Sequence, residues 1–412
     1  MIQFEKFTLD NGLTVIVHED NTTPLVALNI LYKVGARDED PQRTGFAHLF
    51  EHLMFGGSVN IPDFDEPLQL AGGENNAFTN NDITNYYLTI PSQNLETAFW
   101  LESDRMLSLA FTEKSLEVQR SVVVEEFKQR YLNQPYGDVW LQLRPLAYKV
   151  HPYQWATIGK EISHIETASL DDVKSFFKKW YAPNNAILTI AGDCTVERAK
   201  ELCAKWFAPI DVAAIPPRNL PVEPAQTEKR TLAITKDVPN SHIYMTWHCC
   251  SRFDDTFYAT DLLSDVLSRG KSARLYQRLV KEAGLFTDVQ AYLLGDLDKS
   301  LFLVEGKLVN GVTMEAAEKA ILSELEKVKT DISEKELEKV KNKSEATFEF
   351  SEMGIANKAL NLAYYELLGD AQLCNQQVEL YRKVTAEEIH QVANEIFTEN
   401  NCSVLYYNSL KK

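Results

Sequence analysis

Residues 45–57 read GFAHLFEHLMFGG, a mostly apolar run that carries His48, Glu51 and His52. Helical residues four apart share a face, so the imidazoles of His48 and His52 can converge on one ion. Glu51 stands one step off that face, able to reach a water at that point without being a ligand. The pattern is the inverted relative of the H-E-x-x-H zinc helix. Two imidazoles and a carboxylate with an open fourth position suit catalytic zinc, which lowers the pKa of its water to about 7. The third ligand has to come from elsewhere. The predicted helix TEKSLEVQRSVVVEEFKQRYLN offers Glu125 and Glu126, and helical periodicity alone leaves open which of the two faces inward.

Outward from this segment, 412 residues exceed one ordinary core and predict about two to three domains. The stretch FAPIDVAAIPPRNLPVEPAQTEKR, residues 207–230, holds five of the 15 prolines and has no sustained helical or strand period. It predicts a first domain over 1–210, a Pro-rich linker over 211–228 and a second domain over 229–412.

The two halves repeat an order of elements. GLTVIVHED and LVALNILYKVGARDED alternate like strands and lead into the HLFEH helix, as RTLAITKD and SHIYMTWHCCSRFDD lead into FYATDLLSDVLSRG. Amphipathic helices over 113–132 and 333–349 follow, and ILTIAGD and CSVLYYN read as closing strands. An internal duplication is therefore expected. The counterpart of HLFEH is TDLLSD, so one half carries the chemistry.

Composition predicts a soluble globular protein, 45% hydrophobic and 25% charged. A formal net charge of −17 disfavours nucleic acid and anionic membranes as partners. No apolar run is long enough to span a bilayer, and MIQFEKFTLDNGLTVIVHED has no basic region followed by an apolar one. The expected compartment is the cytoplasm, or the periplasm if a signal peptide has been removed. The six cysteines show no paired metal-ligand spacing and read as reduced packing thiols.

The chain resembles the pitrilysin, insulin-degrading enzyme and mitochondrial processing peptidase family of inverted-motif zinc metallopeptidases over essentially its whole length. The resemblance rests on GFAHLFEHLMFGG, GGENNAFTNNDITNYYLTIP, QRSVVVEEF, HPYQWATIGKEISHI, YAPNNAILTIAGD, SARLYQRLVKEAGL and YELLGD, in that order. It implies an α+β fold of two homologous domains, each a mostly antiparallel sheet packed with helices. Two chains would close like a clam-shell around a chamber that admits oligopeptides or unfolded peptides. Aligning Arg120 and Val122 with the family pattern implies Glu126 as the third ligand beside His48 and His52. One zinc is then held per chain, with Glu51 as general base and Glu125 on the surface. Asn76, Ala77 and Thr79 match the edge-strand pattern on which family members bind substrate by β-strand addition.

Two positions depart from the family. Gln119 replaces the carboxylate that opens the glutamate pattern, which removes a charged support for the ligands. Val280 and Thr287 occupy the positions where active relatives supply an Arg and a Tyr to substrate, and neither side chain can do that work. Arg274, Tyr276 and Arg278, nearby on the preceding helix, are expected to pack or cap. The resulting expectation is a zinc endopeptidase acting as the zinc-bearing subunit of a homodimer, or of a heterodimer whose other chain supplies the Arg and Tyr. The alternative is a non-catalytic or partner-dependent subunit of a peptidase or processing complex, inactive alone.

Overall fold

A computed structural model describes residues 1–410 of the chain. Among the described residues, eleven strands form two sheets. In the first, β1 (Glu5–Thr8), β2 (Thr14–Glu19), β3 (Leu25–Tyr32), β4 (Glu74–Thr79), β5 (Thr84–Pro91) and β6 (Ala186–Gly192) lie in the order β1-β2-β6-β3-β5-β4. In the second, β7 (Arg230–Lys236), β8 (His242–His248), β9 (Phe286–Leu293), β10 (Leu301–Leu308) and β11 (Cys402–Ser409) lie in the order β7-β11-β8-β10-β9.

The duplication expected from the order of elements is visible in the pairing. β2 runs parallel to β6 as β7 does to β11, and every other pair in both sheets is antiparallel. The fold is α+β, with β1 as an extra strand on the first sheet. The central strand β6 is buried throughout and β3 is buried from Val26 onward, which is why both read as apolar runs.

The domain boundaries differ from the expected continuous halves. Unit one comprises Met1–Lys128, Trp155–Leu220 and Glu349–Gln376, whereas unit two comprises Gln129–Gln154, Pro221–Phe348 and the chain from Gln377 onward. Each half thus lends a helical segment to the other half's sheet. The helix Ile355–Leu367 packs Ala359 against Ala27 and Ala191 of β3 and β6, where small side chains permit close approach. The helix Val139–Ala147 sets Val139 and Leu143 among Tyr244, Leu303, Leu405 and Tyr407 of the second sheet. An amphipathic helix shows that one face is buried but carries no label for the sheet that buries it. The segment 211–228 contains no helix or strand.

The predicted helix over 113–132 is α-helical over Glu113–Phe127 and closes with a π-helical turn, Lys128–Leu132. All six cysteines are free thiols, five of them buried. Among the described residues no helix is long and apolar enough to cross a membrane.

Unit one encloses a buried ion pair that the sequence does not announce. Arg105 donates to both carboxylate oxygens of Glu102 at 2.7 and 2.5 Å, and its guanidinium lies 4.4 Å from the ring centres of Phe64 and Tyr86. Removing one partner strands the other charge in the interior. Arg105→Met is therefore expected to cost about 3–5 kcal/mol in urea unfolding, with recovery in the Arg105→Met/Glu102→Leu double variant. A single variant as stable as the wild type contradicts this.

Candidate metal centre

The histidine helix, Phe46–Leu53, is only two turns long, so its placement depends on tertiary anchors. Phe46, Ala47, Leu49, Phe50 and Leu53 are buried. Phe50 packs against Phe176 and Tyr181, with ring centres 4.9 and 5.1 Å away. With this face fixed inward, His48, Glu51 and His52 lie on the partly exposed side.

The helix Glu113–Phe127 starts at Thr112, whose hydroxyl accepts the Ser115 N–H at 3.0 Å. Arg120 holds it in place by donating to the carbonyls of Glu166 and Ala168 at 3.1 and 3.0 Å. Val123, Val124 and Phe127 are buried, which turns Glu126 toward the histidines. Glu125 faces outward and accepts from Lys128 at 2.7 Å. The choice that periodicity leaves open is thus made by the direction of the buried face.

Glu126 Oε2 lies 3.7 Å from His48 Nε2 and 3.3 Å from His52 Nε2. The two imidazoles stand edge to face, 4.9 Å apart. One donor atom from each of His48, His52 and Glu126 lies within 4.8 Å of the other two, and this is the only such metal-holding cluster among the described residues. Two imidazole nitrogens and one carboxylate oxygen form a set suited to catalytic zinc, with a position left for water or substrate. The residues present fit the metal.

Glu39, which sequence reading passed over, anchors the start of the histidine helix. Its Oε2 accepts the Gly45 N–H at 2.9 Å and the Trp155 indole N–H at 3.1 Å, and its Oε1 accepts the Ala47 N–H at 2.8 Å. Burial pushes its carboxyl up to about 8, against the opposing pull of these donors. A carboxylate in a turn after a strand reads as solvated surface, and no local signal marks it otherwise.

β4 is the free edge of the first sheet and lies beside the histidine helix. Asn76 and Ala77 pair with Tyr87 and Tyr86, and Thr79 with Thr84. The outward Ala77 N–H donates to Asn76 Oδ1 at 2.8 Å, so a strand added here would have to displace that side chain. Gln119 lies against the turn that follows the histidine helix, where a Cβ at Gly56 would sit 3.6 Å from its Nε2.

In unit two, Val280 packs half-buried against the core, and Thr287 is exposed with its hydroxyl donating to Lys307 O at 3.2 Å. Arg274 is committed to Glu336, with which it makes bonds of 2.7 and 2.8 Å. Arg278 pairs with Glu282 along its own helical turn. Arg274 pushes the Glu336 carboxyl down to about 2, helped by Ser333 and opposed by burial. A depressed carboxyl contributes stability above its ordinary value of 4.5 and loses it as pH falls through about 2. Glu336→Gln is therefore expected to be less stable than wild type at neutral pH, with the gap between their urea midpoints closing near pH 2. A gap unchanged at that pH contradicts the pairing.

Residues 14–157 match the model of the insulinase family, peptidase family M16, and residues 167–344 match the M16 inactive domain. The chain belongs to the M16 family of metallopeptidases. It is 32% identical over 414 residues to zinc protease PqqE of Helicobacter pylori, covering 98% of this chain and 92% of that one. It is 24% identical to the uncharacterized zinc protease YmxG of Bacillus subtilis, covering 96% of each. The crystal structure of a protease from Helicobacter pylori superposes with a TM-score of 0.94 at 30% identity, over 99% of this chain and all of that one.

Proposed function

We propose that this chain is a zinc-dependent endopeptidase of oligopeptides and unfolded peptides, acting as the zinc-bearing subunit of a dimer. The observation that carries the reading is the convergence of His48, His52 and Glu126, with Glu51 on the same short helix. Relatives named zinc proteases support it. Zinc, when held there at one ion per chain, supplies Lewis-acid polarisation of the scissile carbonyl. Glu51 takes the proton of the attacking water and returns it to the nitrogen of the leaving amine, which departs neutral. Asn76, Ala77 and Thr79 on β4 hold the substrate backbone as an added strand. Main-chain pairing selects extended, flexible chains over particular side chains. A second chain closing as a clam-shell would complete a chamber that excludes folded proteins, and the cytoplasm is the proposed compartment.

Val280 and Thr287 favour a second reading, in which the chain is silent alone and a homologous partner supplies an Arg and a Tyr. Cleavage of a mixed peptide library by the zinc-loaded chain, with Glu51→Gln as control, separates the two. Glu51-dependent cleavage by the lone chain supports a self-sufficient homodimer. Silence with zinc bound supports the partner-dependent subunit, and cleavage that persists in Glu51→Gln overturns the assignment of Glu51.

A further inference from the structure

Gly45 begins the histidine helix with φ +90° and has no side chain to cap it. A Cβ there would lie 2.6 Å from the Ile158 carbonyl oxygen and 2.8 Å from Ile165 Cδ1, so neither Ser nor Asp, the usual caps, fits. Helix starts leave N–H groups unsatisfied, and burying them without acceptors is costly. Here the acceptor comes from outside the helix. Glu39, six residues upstream of Gly45 and only 6% exposed, accepts the Gly45 and Ala47 N–H groups, one on each oxygen.

Trp155 clamps the same carboxylate. Its indole N–H is shared between Glu39 Oε2 at 3.1 Å and the Ala36 carbonyl at 3.0 Å, and its side chain is buried. The residue before the helix is also pinned: the Thr44 hydroxyl accepts the Lys160 N–H at 2.8 Å and lies 2.9 Å from His164 Nδ1. His48 follows Ala47 directly, so the backbone that carries the first imidazole is held by Glu39.

We infer that Glu39 is a positioning residue for the metal centre, setting the orientation of the first turn of the histidine helix so that His48 and His52 meet Glu126. The inference rests on the metal reading above and adds a residue that touches neither metal nor substrate. Groups behind metal ligands typically contribute about 10- to 100-fold in metal affinity. Glu39→Ala is expected to lose that much. Glu39→Gln keeps the shape and one acceptor oxygen but turns an NH2 toward an N–H donor, so an intermediate loss is expected.

The test uses the full chain. Zinc affinity is measured by chelator competition, the visible spectrum of the cobalt-loaded protein reports ligand geometry, and thermal melting of the metal-free protein reports the fold. Weaker zinc binding with a changed cobalt spectrum in Glu39→Ala, while the metal-free protein still melts cooperatively, supports the inference. Wild-type affinity and spectrum in that variant overturn it. If Glu39→Ala does not fold, Glu39→Gln decides by the same two readouts. A wild-type chain that binds no zinc overturns the metal reading itself, an outcome distinct from failure of the Glu39 assignment.

Discussion

Replacing Glu126 with alanine is expected to strip the chain of zinc, whereas Glu125→Ala retains one ion per chain. The adjacent carboxylates differ in direction: Glu126 Oε2 lies 3.3 Å from His52 Nε2, and Glu125 is turned outward to Lys128. Without Glu126 only two imidazoles remain, and a two-ligand site does not hold catalytic zinc at ordinary concentrations. The expected loss of affinity exceeds the roughly 100-fold ceiling of changes behind the ligands. His48→Ala and His52→Ala should behave alike. Metal analysis after gel filtration, with chelator competition for the affinities, checks all four variants. Zinc retained by Glu126→Ala, or lost by Glu125→Ala, reverses the ligand assignment.

Glu51→Gln is expected to keep zinc at wild-type stoichiometry and lower peptide turnover by about 10²- to 10⁴-fold, the usual contribution of a general base. Glutamine matches glutamate in shape but cannot accept the proton of the attacking water, so binding survives while the proton transfer is lost. The comparison is made on whichever assembly cleaves, the lone chain or the chain with its partner, under single-turnover conditions. Loss of zinc together with activity would make Glu51 a ligand or a structural support rather than the general base.

Much of this centre was legible in the sequence because its signals are local. Two histidines four apart beside a glutamate define a helical face without reference to the rest of the fold. The alternating strands and the repeated order of elements likewise carry the duplicated sheets, whose pairing senses match apart from the extra strand β1. Glu126 required more than periodicity, since the direction of the helix is set by which of its valines are buried. Glu39, Arg105 and Glu102 were not legible, because a buried carboxylate or ion pair depends on neighbours brought from distant segments. The exchange of Gln129–Gln154 and Glu349–Gln376 between the two units was hidden for the same reason. Nothing in either amphipathic pattern specifies the surface it covers.

The proposed chemistry depends on one ion at one place, and anomalous diffraction at the zinc absorption edge from crystals of the zinc-loaded chain tests that directly. The account predicts a single strong peak per chain at about 2.0–2.2 Å from His48 Nε2, His52 Nε2 and a carboxylate oxygen of Glu126. No peak, or a peak held by other residues, would contradict it.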